Sequence, residues 1–500
     1  MDRAKSKKIR NIRVIATNIF MSLSVVAIVF VLMLVAMGFT FNEEGKLEQA
    51  GLIQLASFPS DANVEIDGDA QFNHTEFSKM LSSGSHKVKV TKNGYDTWQN
   101  DLKIDAGLLT RADWIRLFPK KAHISNAKSF DDLRFASFSP NRKQLIAIEH
   151  GKNSLLVIDI QNDKLKTDQL NLNECFSTTA DKVILGNFSI VAWNENNNRL
   201  IAKWIIGDDE TKATWHLVDL EHPENSINIS KKFNLNFDSI LIENDSASKL
   251  WSVENGNLRI IDLDKSTVSG VIASNIEKIA HNRSTIAFVS TDDNKTRHLN
   301  IYKEGEESYS TIADLGKAKA NSVIKLTMGT YWNEEWLAYS INKHIRIISG
   351  KYPSYGKDRN NTSLKEKYSD KLSYVPQLLS TNDNQRIALF SGNNAITSYD
   401  IETKDRYDSK LSTALDNINW LDDYLIWQNE NNSITVRDFD GSNIRTIIKK
   451  ANAPFPVTIS ADNHWLYFFY EETNTDTKNN VSDQNTTTSV KYILKRENLQ

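Results

Sequence analysis

Apolar and polar positions along the chain follow three regimes. The first is a run without charge from Val14 to Asn42, and its core, Ile19 to Met37, is overwhelmingly apolar. About 20 such residues, rising 1.5 Å each, span a bilayer as a helix. The pattern predicts a transmembrane helix over 14–41, preceded by a basic tail (1–13) and followed by a short polar tether (42–51). The second regime, 52–118, alternates. Val64/Ile66 and Val88/Val90 sit between polar neighbours, the two-residue period of half-buried strands. Strands are predicted at Gly51–Ser57, Ala62–Ile66, His86–Val90 and Ala112–Leu117. Asp67-Gly68 suits a type I′ hairpin turn, where both central residues take φ > 0, and Asn93-Gly94 is read as a second such turn.

The third regime, 119–500, repeats on a longer scale. An apolar strand ends in a polar turn, a second apolar strand follows, and after a gap a third strand often ends in an acid. The second strands start at 145, 200, 250, 286, 337, 387, 425 and 466, roughly 45 residues apart, the period of a four-stranded propeller blade. Third strands ending in Asp159, Asp219, Asp262, Asp400 and Asp438 suit the turn that follows. The expected fold is mainly β: a membrane helix, a small β-sandwich, then a seven- or eight-bladed β-propeller, with eight favoured and a pair of sandwiches as the rival. Val490–Leu494 is expected beside Trp465–Phe468, with a strand near His123–Asn126 outside it, because joining the two ends in one blade removes exposed sheet edges. Glu471 to Ser489, almost free of apolar residues, reads as a loop between the last two strands.

Residues of the second regime carry a resemblance. Ser57-Phe-Pro59, Ala62-Asn-Val64, Ile66-Asp67-Gly68, Thr75, Ser83-Gly84-Ser-His86-Lys-Val88 and Lys92-Asn-Gly94-Tyr95 resemble a PEGA domain over about 52–118. The naming tetrapeptide is replaced by Ser82–Ser85, and the usual Thr-Pro is Thr75-Glu76. The resemblance implies a small sandwich of bacterial or archaeal surface proteins, an extracytoplasmic module without agreed chemistry. The turns Ser139–Lys143 and Ser460–His464 resemble those of periplasmic Tol-type and prolyl-peptidase propellers, which bears on fold alone.

Charge orients the chain. The formal charge is −3, but residues 1–13 carry six cations against Asp2, leaving −8 for the rest. Cations stay in the cytoplasm, which puts the N-terminus inside and the body outside. A cleavable signal with a site near Ala36-Met37-Gly38 is the alternative, although the apolar run exceeds the usual 7–15 residues. Both readings export the body. No cysteine follows the apolar run, so a lipoprotein anchor is not expected. An acidic body argues against nucleic acid, which needs a basic footprint. Cys175 is the single cysteine, so no intrachain disulfide forms. Abundant Asn between short apolar runs is turn chemistry.

Motifs for catalysis are absent from the sequence. There is no Gly-x-Ser-x-Gly elbow and no glycine-rich phosphate loop. The ten histidines are scattered without metal-ligand spacing. Asp438-Phe-Asp440-Gly441-Ser-Asn443 lacks the closing ligands of a calcium loop and reads as a strand end with a turn. No catalytic residue, metal ligand or cofactor is therefore expected. Most tryptophans flanking strands are expected in the core. Trp332 and Trp420, at strand starts, are candidates to reach a propeller face and stack on sugar rings. The expected function is a membrane-anchored extracytoplasmic binding or scaffold protein of the bacterial envelope, with a protein, peptide or wall-glycan ligand. The alternatives are an envelope enzyme acting on glycan or peptide, and a sensor signalling through a membrane partner.

Overall fold

The uncharged run folds as one helix, α1 (Asp2–Ala36), which draws the basic segment into the same 35-residue element. The computed structural model describes residues 2–41, 45–176, 186–206, 213–356, 363–391, 395–410, 417–430, 433–449, 454–475 and 488–500. Arg13–Ala36 is long and apolar enough to cross a membrane, the one such stretch among the described residues. Helix α1 stops at Ala36 rather than at 41. Gly38 adopts φ 78°, a left-handed conformation that ends helices. Phe39–Phe41 then pairs with Leu47–Gln49, so part of the expected tether is a strand.

Packing divides the chain into two units, one reaching Ala122 and including Leu499–Gln500, the other His123–Asn498. In the first, two sheets form a sandwich. One orders Phe77–Leu81, Gly51–Phe58 and Leu109–Arg116; the other orders Asp69–His74, Asn63–Ile66, Gly84–Thr91 and Trp98–Ile104. Their facing residues, including Ile53, Leu55, Val64, Val88, Val90 and Trp98, are buried together. Asp67 (φ 52°) and Gly68 (φ 94°) make the expected two-residue turn, pairing Ile66 with Asp69. The Asn93-Gly94 turn differs from expectation: only Gly94 has positive φ, and Tyr95 N donates to the Lys92 carbonyl. That is the pattern of a turn needing glycine at its second central position alone.

The second unit contains eight four-stranded antiparallel sheets among the described residues. Blade 1 runs Leu133–Phe138, Gln144–Glu149, Ser154–Asp159 and Lys166–Asn171. Six more repeat this order, with second strands at Arg199–Ile206, Lys249–Glu254, Thr285–Thr291, Glu334–Ile341, Arg386–Ser391 and Leu425–Glu430. In several neighbouring blades the first strands adjoin, so they line the centre. Second and third strands are sandwiched between neighbouring blades, which is why they are near-continuous apolar runs. Between blades 2 and 3, for example, Trp215, Leu217, Ile240, Leu250 and Ile261 pack together.

Blade 8 closes the ring from both ends of the unit. Its order from the centre is Thr458–Ile459, Trp465–Thr475, Thr488–Asn498 and, outermost, Ile124–Asp131. The register is shifted from the expected one: Leu494 faces Phe469 and Trp465 faces Asn498. The strands are also longer, so Glu471–Thr475 belongs to a strand, and residues 476–487 of the expected loop lie outside the described residues. Blade 8 joins blade 1 through Tyr467, Phe469 and Leu494 packed on Ile158 and Ile160. It joins blade 7 through the ion pair of Arg445 with Glu497 (3.5 Å).

The acids that end third strands have two tasks. One oxygen accepts turn amides: Asp219 Oδ1 from Glu221 N and His222 N, and Asp400 Oδ1 from Glu402 N and Thr403 N. The residue across the ladder is the first of the second strand, and in three blades it is Arg199, Lys249 or Arg386. Arg199 and Arg386 reach the second oxygen at 2.8 and 3.1 Å.

One ion cluster ties stability to pH. Glu243 of blade 3 is buried against Glu304 of blade 4, with Lys249 bonded to Glu304. Burial, then the hydrogen bond and charge of Glu304, push the Glu243 carboxyl up to about 7, against the pull of Lys249; Asp245 adds to the rise. Glu304, despite its own burial, is held below the usual range by Lys249 and Glu243. A carboxyl whose folded pKa exceeds its unfolded value binds more protons when folded, so stability falls as pH rises between the two. That window runs from about 4.5 to about 7. Glu243→Gln is expected to flatten this fall by on the order of 2 kcal/mol between pH 5 and 8. Urea unfolding of both forms at the two pH values checks it; an unchanged pH difference in the variant rejects the assignment.

Candidate ligand-binding face

Topology puts every turn between first and second strands at the same end of the ring. Most of these turns are rigid. Ser139 Oγ accepts from Lys143 N and Gln144 N, Asn194 Oδ1 from Asn198 N and Arg199 N, and Thr381 Oγ1 from Arg386 N. Each turn of blades 1 to 6 and 8 holds one non-glycine residue in left-handed backbone: Arg142, Asn197, Ala247, Arg283, Trp332, Asn384 and Asn463. Asn tolerates that region; a bulky side chain there is uncommon.

The turns of blades 1, 2, 4, 5 and 6 line a cavity of about 580 Å³ at the mouth of the central channel. Its wall is rich in amides: Asn141, Asn194, Asn197, Asn282, Asn382 and Asn384. Two contacts cross the mouth between blades that are not neighbours. Asn382 Nδ2 of blade 6 donates to the Pro140 carbonyl of blade 1 at 2.9 Å. Arg283 of blade 4 pairs with Glu195 of blade 2 at 3.0 Å, and both are well exposed. Their charges cancel, so the mouth is polar but close to neutral. Asn282 Nδ2 donates to Thr330 Oγ1, and Asn141 N to Asn197 Oδ1. Gly329 lets the turn of blade 6 approach closely: a Cβ there would lie 2.6 Å from Asn384 Oδ1 and 2.7 Å from the Trp336 ring.

Trp332 stands at the rim. It is the first residue of the two-residue turn between Tyr331 and Glu334, with φ 52° and 78% of its surface exposed. Glycine is the usual occupant of such a position. A second cavity, about 670 Å³, shares Trp332 and is lined by Tyr331, Lys351, Lys365, Lys367 and Glu402 among others. Tyr331 donates to Glu402, and its hydroxyl is pushed up to about 12, mainly by burial.

The two tryptophans singled out in the sequence are not brought together. Trp420 ends the strand Asn417–Trp420, donates from Nε1 to the Leu379 carbonyl at 3.0 Å and packs beside Ile396 and Ile426 between blades 6 and 7. The amides and the Arg283–Glu195 pair escaped sequence reasoning. Their signal was the Asn-containing turn recurring before seven of the eight second strands, once the ring topology is known. Carboxylates near this face are held by turns: Asp422 Oδ1 accepts from Tyr424 N and Leu425 N, and Asp383 Oδ1 from Thr381 Oγ1 and Gln385 N. The Asp438 carboxylate is likewise bonded within its own turn, to Asn443 Nδ2.

Residues 50–114 match the PEGA domain family. No curated protein matches the sequence. Among solved structures, apo AztD from Citrobacter koseri is similar with a TM-score of 0.41 and 10% identity, covering 75% of this chain and 94% of that one. The C-terminal WD40 domain of Sif2 gives 0.44 and 9%, covering 74% and 97%. A prolyl endopeptidase gives 0.44 and 9%, covering 73% and 54%.

Proposed function

We propose that this protein is a membrane-anchored, extracytoplasmic binding protein of the bacterial envelope, and that the channel mouth beside Trp332 is its ligand site. In this reading α1 is the uncleaved anchor, with its basic end in the cytoplasm, and the PEGA unit is a spacer or wall contact. The observation that carries the reading is the exposed, left-handed Trp332 at the rim of a neutral, amide-lined cavity. Ligand sites combine a concave surface with a few fixed polar groups, and amides both donate and accept. Asp383 and Asp422 are committed within their turns and Glu195 to Arg283, which supports binding rather than catalysis. A reporter fused after Gln500 is expected to be active only outside the cytoplasm. The full chain in detergent is expected to retain solubilised envelope material, by sugar and amino-acid analysis, that Trp332→Ala does not. Cytoplasmic reporter activity overturns the location; equal retention by both forms overturns the site.

A further inference from the structure

Two cavities meet at one side chain. Trp332 lines both the amide-rich mouth and the outer groove of blade 5. Each volume, about 580 and 670 Å³, is in the ~300–1,000 Å³ range of sites that enclose a small organic ligand. A ligand filling both passes over the indole.

The chemistry of the two cavities differs. The mouth offers amides and one internally neutralised ion pair. The groove offers Lys351, Lys365 and Lys367, none in a close ion pair among the described residues, although Lys367 attracts Glu334 at longer range. Of its two carboxylates, Glu334 pairs with Lys404 at 2.8 Å and accepts from Ser349, while Glu402 accepts from Tyr331 and Gln385. Three lysines against two carboxylates leave the groove net cationic. Neither cavity is lined by Leu, Ile, Val, Met or Phe. A peptide that docks through an apolar helix face finds no aliphatic groove there. A sugar ring needs what is present: a flat indole under its CH face, amides for its hydroxyls, and cations for acidic substituents.

Resting on the binding reading above, we propose that the ligand is an acidic oligosaccharide that runs from the mouth, over Trp332, into the lysine groove. The mouth holds neutral sugar units, the indole carries the unit between the cavities, and Lys365 and Lys367 take carboxylate or phosphate groups further along. The shared requirement is negative charge on a hydroxyl-rich chain at least several units long.

The test uses the full chain in lipid nanodiscs, with fluorescently labelled hyaluronan oligosaccharides, chitin oligosaccharides of equal length and a polyglutamate peptide as probes. Binding is read by anisotropy at low salt. Affinity for hyaluronan is expected to rise from disaccharide to hexasaccharide and to exceed that for chitin by about tenfold. The excess should shrink in high salt, because exposed charges are screened. Trp332→Ala is expected to weaken both saccharides about tenfold. A variant carrying Lys365→Ala and Lys367→Ala should lose the acidic preference and keep the chitin affinity. Equal binding of hyaluronan and chitin, or no gain with length, overturns this proposal; Trp332-dependent chitin binding in that case leaves the mouth as the site. Polyglutamate binding above both saccharides overturns the glycan assignment in favour of an acidic peptide. Saccharide binding that Trp332→Ala leaves unchanged overturns this proposal and the site together.

Discussion

Deletion of residues 491–500 is expected to abolish the cooperative unfolding of the propeller rather than fray one end. The deletion removes most of Thr488–Asn498, a strand bonded on both sides. Ile493 and Leu494 are buried in it, and Leu494 belongs to the cluster that joins blades 8 and 1. Full burial of such a side chain contributes about 1.5–3 kcal/mol. Further losses follow from topology. Among the described residues Ile124–Asp131 pairs with no other strand, so it is orphaned, and Trp465–Thr475 gains an open edge. The sum approaches the whole net stability of a domain, about 5–15 kcal/mol. Thermal unfolding of the full and shortened chains, followed by circular dichroism, checks this. An unchanged midpoint in the shortened chain would show that the ring does not depend on its C-terminal strand.

Arg386→Ala is expected to lower stability by about 3–5 kcal/mol, the cost of stranding a buried charge. Arg386 and Asp400 pair at 3.1 Å with only 4% and 3% of their side chains exposed. The guanidinium also stacks on Phe439 at 4.2 Å and Tyr424 at 4.8 Å, and donates to the Asp423 carbonyl of blade 7. Loss of the cation leaves the Asp400 carboxylate in the interior with its turn amides and the Gln385 side-chain amide, none of them charged. Combining Arg386→Ala with Asp400→Asn is expected to restore part of the loss, because the stranded charge is gone. Denaturant unfolding of the single and double variants decides the point. A single variant within 1 kcal/mol of the parent (roughly the effect of an exposed pair), or a double variant no better than the single, rejects the account.

Much of the architecture is legible in the chain because burial writes a pattern. Helix α1 follows from an uncharged run, and the Asp67-Gly68 turn from two residues that accept positive φ. The eight second strands begin within a few residues of their expected starts, since strands sandwiched between blades must be apolar on both faces. The closing of blade 8 follows from the same count, because three strands at one end need a fourth from the other. Outer strands such as Lys166–Asn171 and Lys365–Lys371 leave no such trace. They are polar and largely solvent-facing, and only the ladder beside them makes them strands. The exact ends of α1 and of Trp465–Thr475 likewise depend on local backbone and register, not on periodicity.

The candidate site belongs almost wholly to the tertiary level. Asn141 and Asn382 are 241 positions apart, and their turns meet only because eight blades close around one axis. Trp332 and Trp420 look alike in sequence, each aromatic beside a polar strand end. Trp420 follows its strand into the wedge between blades 6 and 7, whereas Trp332 occupies a two-residue turn and stays largely exposed. Sequence by itself determined which segments are buried, because hydrophobic periodicity measures that directly. Ring closure decided which exposed residues share a surface, because that proximity arises from the packing of separate blades and leaves no period in the chain.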